Sequence, residues 1–191
     1  MPSSPPRPRR PVGIVLALLA VPTLAGCGLI GHKEPAWAFD ETSGLYYRPG
    51  VISQSADPVR EQLPQLEGVG SVTATDPRMT DPDAWFAPPA PDDELWQAVV
   101  ELESAQVAGL LEPAASDGGA GAAAPLTDDQ LREKLVPTLD EAPAACPDGW
   151  VDVTAALAAP DTSNITTGGD MIALAVACPG GTQLVVELRD M

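Results

Sequence analysis

The sequence contains a single histidine, His32, among its 191 residues. Ser/His/Asp and Cys/His catalysis both need a histidine held within hydrogen-bond distance of the nucleophile. His32 lies in a short polar segment, 27–35, that we expect to be a mobile tether, so neither chemistry nor a histidine-containing metal site is predicted. The GxSxG, P-loop and dinucleotide-binding motifs are also missing. We therefore predict no catalytic residue, no metal and no cofactor, and a protein that is not an enzyme.

Basic residues are scarce as well: 10 Lys and Arg stand against 27 Asp and Glu, for a net charge of −17. Removal of residues 1–26, which carry Arg7, Arg9 and Arg10, lowers the basic count from 10 to 7 and takes the net charge to −20. Such a surface repels the phosphates of nucleic acids and anionic lipid headgroups. We predict no nucleic-acid partner and a body that stands away from the membrane surface.

The apolar run near the N-terminus, residues 12–21, is shorter than the roughly 20 residues of a membrane-spanning helix. It follows three arginines and is followed by Leu24-Ala25-Gly26-Cys27. A basic start, a short apolar stretch and small residues before a cleavage point are the three parts of an export signal. The pattern predicts a cleaved signal peptide over 1–26 rather than a permanent span.

The motif Leu24-Ala25-Gly26-Cys27 resembles the lipobox of bacterial lipoproteins. The resemblance implies that Cys27 carries a diacylglyceryl group and becomes the new N-terminus, with the acyl chains anchoring the protein to the cell membrane on its extracytoplasmic face. The Ala-, Pro- and Gly-rich sequence is also similar to the small lipoproteins of GC-rich Gram-positive bacteria. The alternative is an ordinary secretory signal in which a cysteine occurs at this position by chance.

Cysteine is limited to three residues, of which the resemblance assigns Cys27 to lipid. Cys146 and Cys178 remain for an oxidising compartment, where a disulfide is the default expectation. Their spacing is far too long for a CxxC redox motif. We predict a Cys146–Cys178 disulfide.

The segment 36–91 is rich in Pro and Asp and is predicted to be largely irregular. Its regular feature is a hairpin, because aromatic residues at 36–39 and 45–48 flank a turn-rich centre. Further on, Trp85 and Phe86 stand among prolines, and two adjacent aromatics on an extended chain cannot face the same way. One of them is then exposed as a docking element for a partner or a sugar ring; alternatively, both pack into the core.

Two helices are predicted after this segment. Apolar residues recur with helical spacing over 92–111, the first turn is acidic, and Pro113 ends the helix. Glu103 falls in the middle of the apolar face, either as a buried functional carboxylate or at an edge or local bend. A flexible linker, 113–125, precedes a capping box formed by Thr127 and Gln130, which begins a second helix running to about residue 136.

The last third of the chain has the pattern of strands, at 150–153, 171–177 and 183–188. The second of them is apolar throughout, so it is predicted at the centre of an antiparallel sheet. Pairing of the first two strands brings Cys146 and Cys178 to the same end, in agreement with the predicted disulfide. The fold class is α+β, with a sheet of about three strands and two helices packed on one face, in a domain spanning 92–191.

These features predict a membrane-anchored extracytoplasmic lipoprotein that acts as a binding or regulatory module, with an envelope protein or the cell wall as its partner. Trp85 and Phe86 are the candidate contact residues. The alternative is a small cell-wall hydrolase that uses paired carboxylates. It requires a cleft that holds two close acidic side chains, one of them with a perturbed pKa.

Overall fold

The computed structural model describes residues 35–84, 95–116, 124–162 and 164–190. The predictions made for Cys27, Trp85 and Phe86 lie outside these ranges. The strands are β1 Ala38–Asp40, β2 Leu45–Tyr47, β3 Val72–Thr75, β4 Leu95–Glu101, β5 Val151–Asp152, β6 Met171–Ala177 and β7 Gln183–Arg189. The helices are α1 Asp57–Gln62, α2 Ser104–Ser116, α3 Asp128–Arg132 and α4 Thr154–Leu157, with a 3₁₀ turn at Pro137–Leu139.

Five strands form the main sheet, in the order β3-β4-β7-β6-β5. Every neighbouring pair is antiparallel. The fold is therefore α+β with an antiparallel sheet, as predicted, but the sheet has five strands rather than three. The central strand is β7, which pairs with β4 on one side and with β6 on the other. The apolar β6 lies next to the centre, one place from its predicted position.

The prediction of a helix over 92–111 is wrong. Residues Leu95–Glu101 form β4, which pairs with β3 on one side and β7 on the other, and the helix α2 begins only at Ser104. An apolar run buried on both faces of a sheet also matches helical spacing by count, and the β-branched Val99 and Val100 favour the strand. Pro113 lies inside the last turn of α2 instead of ending it.

Helices cover both faces of the sheet rather than one, which corrects the predicted layout. The larger core lies between α1, α2 and α4 and the face that carries Val100 and Val186. The smaller core lies between α3 with the 3₁₀ turn and the face that carries Val99 and Val185. Successive residues of a strand point to opposite faces, so β4 and β7 supply both cores.

The predicted hairpin is present as β1 and β2, with Phe39 opposite Tyr46. Asp40 fixes its turn by accepting hydrogen bonds from the backbone N–H and the hydroxyl of Ser43, at 2.8 and 2.6 Å. Gly44 follows with φ +72°, a conformation that glycine adopts without steric cost. Beyond the hairpin, the segment expected to be irregular contributes α1 and the edge strand β3.

Two further predictions are confirmed. Thr127 and Gln130 form a complete capping box, although α3 ends at Arg132, earlier than expected. Cys146 and Cys178 form a disulfide, with Cα atoms 5.7 Å apart. The pairing of Val151 with Ala177 across β5 and β6 brings the two cysteines together.

Candidate ligand-binding cleft

A cleft of about 690 Å³ opens at the end of the sheet where β4 and β6 begin and β7 ends. Small-molecule sites in proteins typically measure about 300–1,000 Å³. Its walls combine aromatic, cationic and acidic side chains, together with Gln62, and the residues that carry charge are Arg48, Asp76, Arg78, Asp170 and Asp190. We call this end of the sheet the cleft end.

One wall is built on Trp37, which is half-buried. The guanidinium carbon of Arg48 lies 5.1 Å from the centre of the indole, and that of Arg78 lies 5.6 Å from it. Both distances are within the range of cation–π attraction, about 6 Å. Arg78 is tied to the hairpin by two backbone hydrogen bonds with Tyr46, each 2.8 Å. Trp37 therefore contacts both of the arginines that line the cleft.

The acidic wall is formed by Asp170 and Asp190. Met171 pairs with Arg189 at the last position of the β6–β7 ladder, so each aspartate lies one residue beyond the end of the ladder. Burial, and then the negative charges of Asp190 and Glu61, raise the pKa of Asp170 above its usual value of 3.8. Asp170 is half-buried, whereas Asp190 is exposed. The site thus holds one carboxylate whose ionised form is disfavoured.

The buried hydroxyl of Thr166 organises the loop before Asp170. It accepts hydrogen bonds from the backbone N–H groups of Gly169 and Asp170, at 3.1 and 3.0 Å. It also donates to Oε1 of Gln62, at 3.0 Å, and so orients that amide in the cleft. Gln62 lies so close to Gly168 that a Cβ on Gly168 would collide with its Oε1. The loop leaves room for Gln62 only because position 168 is glycine.

A buried polar network lies behind the cleft. Nε2 of Gln97 donates to Oε2 of Glu187, at 2.7 Å, and to the backbone carbonyl of Lys134, at 3.0 Å, while Oε1 accepts from the backbone N–H of Val136. Arg189 donates to the other oxygen of Glu187 through Nη2 and Nε, at 3.0 and 3.2 Å. The charge of Glu187 is thereby compensated, and the end of β7 that precedes Asp190 is fixed.

The disulfide lies at the opposite ends of the strands, which we call the closed end. Asp128 accepts a hydrogen bond from the indole N–H of Trp150, at 2.8 Å, and one from the backbone N–H of Cys146, at 3.1 Å. These bonds, the one from Trp150 first, lower the pKa of Asp128 below 3.8. Glu101 accepts from the hydroxyl of Thr182 and from the amide of Gln183. This end is held together by contacts within the protein.

Among the described residues, neither Glu103 nor the two disulfide cysteines line the cleft, and the predicted contact residues Trp85 and Phe86 lie outside the described ranges. Glu103 is exposed immediately before α2 and does not lie in an apolar interface, because the helix that would have buried it is a strand up to Glu101. The aspartates and arginines of the cleft were not predicted, since residues 37, 78 and 170 are far apart in sequence. The hairpin gave one usable signal: Arg48 follows β2 opposite Trp37, which precedes β1.

The described residues include neither a metal-binding cluster nor a membrane-spanning helix. No group of three or more His, Cys, Asp or Glu in these ranges could hold a metal ion. Within the same ranges, no helix is both long and apolar enough to cross a membrane. Comparison with family models, curated proteins and solved structures finds no match for this chain.

Proposed function

We propose that this protein is a lipoprotein anchored to the extracytoplasmic face of the cell membrane through Cys27, and that its folded body is a binding module. The lipobox supports the anchor. The Cys146–Cys178 disulfide supports an oxidising compartment, where such bonds persist. The excess of acidic residues supports a body that is repelled by anionic headgroups and reaches away from the membrane.

The observation that carries the binding function is the convergence of polar side chains on one cleft. Trp37, Gln62, Arg78 and Asp170 come from four separate segments, and each is half-buried at the same opening. A cleft of this size that gathers aromatic, amide, cationic and acidic side chains on a rigid sheet is suited to a polar ligand.

The anchor is tested by Cys27→Ala. The variant should fail to incorporate labelled lipid and should move from the membrane fraction to the medium, or remain uncleaved. Ile30→Ala, three residues further along, is the matched control and should partition like the parent. A Cys27→Ala protein that stays with the membrane at mature size would refute the anchor.

The cleft is tested by photo-crosslinking in intact cells. A photoreactive amino acid replaces Pro82, which lines the cleft and carries no charge. The control position is Asp148, which is exposed at the closed end. Mass spectrometry of the intact protein should show an adduct, of a small molecule or a protein, from position 82 and not from position 148. No adduct at either position, or equal adducts at both, would contradict a ligand site in the cleft.

One observation favours a second candidate function, the cell-wall hydrolase. Asp170 and Asp190 share a cleft, and burial together with Asp190 raises the pKa of Asp170, as a general acid requires. Retaining glycosidases place two carboxyl groups about 5–5.5 Å apart. Asp170→Asn and Asp190→Asn should each abolish release of soluble fragments from purified cell wall if this candidate is right. Absence of release by the parent protein would exclude it.

Trp85 and Phe86 remain candidate contact residues. Replacement of both by Ala should weaken partner capture by about 2 kcal/mol or more if they are interface anchors. Circular dichroism melts of the variant and the parent supply the fold control. A large fall in melting temperature would instead identify the pair as part of the core.

A further inference from the structure

One face of the hairpin is aromatic and open to solvent. Phe39 lies opposite Tyr46 across β1 and β2, and the centres of their rings are 4.9 Å apart. Phe39 is 53% exposed, more than any other large apolar side chain of the described residues, and Tyr46 is half-buried. Arg78 pairs with Tyr46 and contacts Trp37, so Trp37 extends the same face toward the cleft. We call the surface of Trp37, Phe39 and Tyr46 the aromatic face.

The opposite face of the hairpin packs against the rest of the protein. Leu45 is buried with Leu95 and Val136 in a small apolar cluster. Successive residues of a strand point to opposite faces, so Asp40 also lies on this inner face, where it lines a small cavity with Asp140. Asp40 is the one carboxylate of β1 and β2. The aromatic face therefore carries no acidic residue from the two strands, although the chain as a whole is strongly acidic.

The hairpin is the first element of the fold after the predicted tether. Trp37 is only ten residues from Cys27 in the sequence. A fully extended chain spans at most roughly 3.3–3.6 Å per residue, so Trp37 lies within about 35 Å of Cys27. When Cys27 is lipidated, a contact between the hairpin and the bilayer is an intramolecular event, and even a weak contact is then well populated.

The side chains of the aromatic face suit the boundary between water and lipid. Trp and Tyr combine an apolar ring with a polar N–H or O–H group and are enriched at the headgroup level of membranes. Phe39 supplies the most accessible apolar surface, and binding at an interface increases with the apolar area that is buried there. Trp37 and Tyr46 are only partly exposed, which fits a contact with headgroups rather than insertion into hydrocarbon.

We propose that the aromatic face contacts the phospholipid headgroups of the membrane that holds the Cys27 anchor. The acidic remainder of the body is repelled by anionic headgroups, so the contact orients the body with the hairpin against the membrane and the remainder away from it. This inference rests on the proposed function, because the short distance to the bilayer comes from lipidation of Cys27. Trp37 also lines the cleft, so the cleft would open beside the membrane.

The test uses the lipidated protein, purified in detergent and reconstituted into vesicles of phosphatidylcholine and phosphatidylglycerol in equal parts. A photoreactive phenylalanine analogue replaces Phe39 in one sample and Thr42 in another. Thr42 is the matched control, because it is exposed on the same hairpin but lines a small cavity with Gln130 and Glu133, on the side of α3. After irradiation, mass spectrometry should find several-fold more phospholipid adduct at position 39 than at position 42.

Substitution of Tyr46 tests the aromatic character of the face. Tyr46→Ser removes the ring that packs beside position 39 and should lower the lipid adduct at that position several-fold. Tyr46→Phe keeps the ring and should retain the adduct. Circular dichroism melts show whether each variant stays folded. A folded Tyr46→Ser protein with an undiminished adduct would overturn the contact. If Tyr46→Ser unfolds, the comparison of positions 39 and 42 decides.

The outcomes separate this inference from the proposed anchor. If the protein floats with the vesicles and lipid adducts at positions 39 and 42 are equal, or absent from both, the contact is overturned and the anchor stands. If position 39 in intact cells gives an adduct with a protein or a glycan rather than a phospholipid, the aromatic face has a different partner and the inference is wrong. If the protein does not float with the vesicles, both the contact and the anchor fail.

Discussion

The two ends of the five-stranded sheet are built from the same strands and differ in how their polar groups are used. At the closed end, Cys146 and Cys178 form a disulfide, and Asp128 accepts hydrogen bonds from the indole of Trp150 and from the backbone of Cys146. At the cleft end, arginines and aspartates converge on an open cavity. The polar groups named at the closed end hold the fold, whereas several of those at the cleft end line an open cavity.

Under the proposed function, stability and recognition lie in separate parts of the molecule. The exposed or half-buried charges of a polar binding site lower the stability of a fold. The fold tolerates this cost when contacts elsewhere stabilise it. The disulfide and the Asp128–Trp150 hydrogen bond lie at the closed end, at the opposite ends of the strands from Asp170. Variants at the closed end should therefore change unfolding more than binding, and variants at the cleft end should do the opposite.

The largest effect on stability is expected for the double variant Cys146→Ala/Cys178→Ala. The cysteines are 32 residues apart in sequence, and closing a loop of that length stabilises by about 3–4 kcal/mol in the chain-entropy model. Urea unfolding of the parent and the variant gives the free energy of unfolding directly. A loss below about 1 kcal/mol would show that the other contacts of the closed end suffice without the disulfide.

Trp150→Phe should have the next largest effect. The variant keeps most of the buried ring and removes the N–H that Asp128 accepts. Because that bond, first among several causes, lowers the pKa of Asp128, it stabilises the fold above pH 3.8 and loses its effect as the pH falls through the lowered value. Thermal melts should show a lower melting temperature than the parent at pH 7 and a smaller difference at acidic pH. A difference that does not change with pH would contradict this role of Asp128.

Trp37→Ala should separate the two ends most cleanly. Trp37 is half-buried and outside the buried core clusters, and its two cation–π contacts are worth about 0.5–1 kcal/mol each at partly exposed positions. We expect a stability loss of about 1–2 kcal/mol with loss of ligand capture. Phe39→Ala is the matched control, since Phe39 is 53% exposed and does not line the cleft. Equal loss of capture in both variants would place recognition on the hairpin as a whole.

The smallest effect is expected for Asp170→Asn, and it should be a gain. Burial, and then Asp190 and Glu61, raise the pKa of Asp170, so the folded protein holds this proton more tightly than the unfolded chain does. The ionised carboxylate therefore lowers stability at neutral pH, and this cost disappears below pH 3.8. The variant should melt slightly above the parent at pH 7 and with the parent at pH 3. A lower melting temperature at pH 7 would show that Asp170 is needed for its loop.

Local patterns predicted the closed end well. The capping box at Thr127, the paired cysteines and the C-terminal strands each depend on residues near one another in sequence or on one ladder. The sequence predicts a helix where β4 lies, because the burial of β4 on two faces removes the alternation that identifies most strands. Because β4 does not read as a strand buried on both faces, the sequence also gives no sign that helices cover both faces of the sheet.

The cleft could not be predicted, because its residues meet only after the sheet has formed. The pairing of the hairpin with residue 78 brings Arg78 to Trp37, and the β6–β7 register brings the chain ends that carry Asp170 and Asp190 together. Each of these residues alone resembles many other charged or aromatic residues of an acidic chain. Only long-range pairing distinguishes them, and a single sequence contains no direct record of it.

We propose that recognition lies at the cleft end and is independent of the closed end. Photo-crosslinking from position 82 tests this when Trp37→Ala and the double variant Cys146→Ala/Cys178→Ala are compared with the parent. The adduct is normalised to the amount of folded protein at the membrane. We expect Trp37→Ala to lose the adduct and the cysteine variant, although less stable, to keep it. An adduct that survives Trp37→Ala, or that disappears with the disulfide alone, would show that recognition does not lie at the cleft end or depends on the closed end.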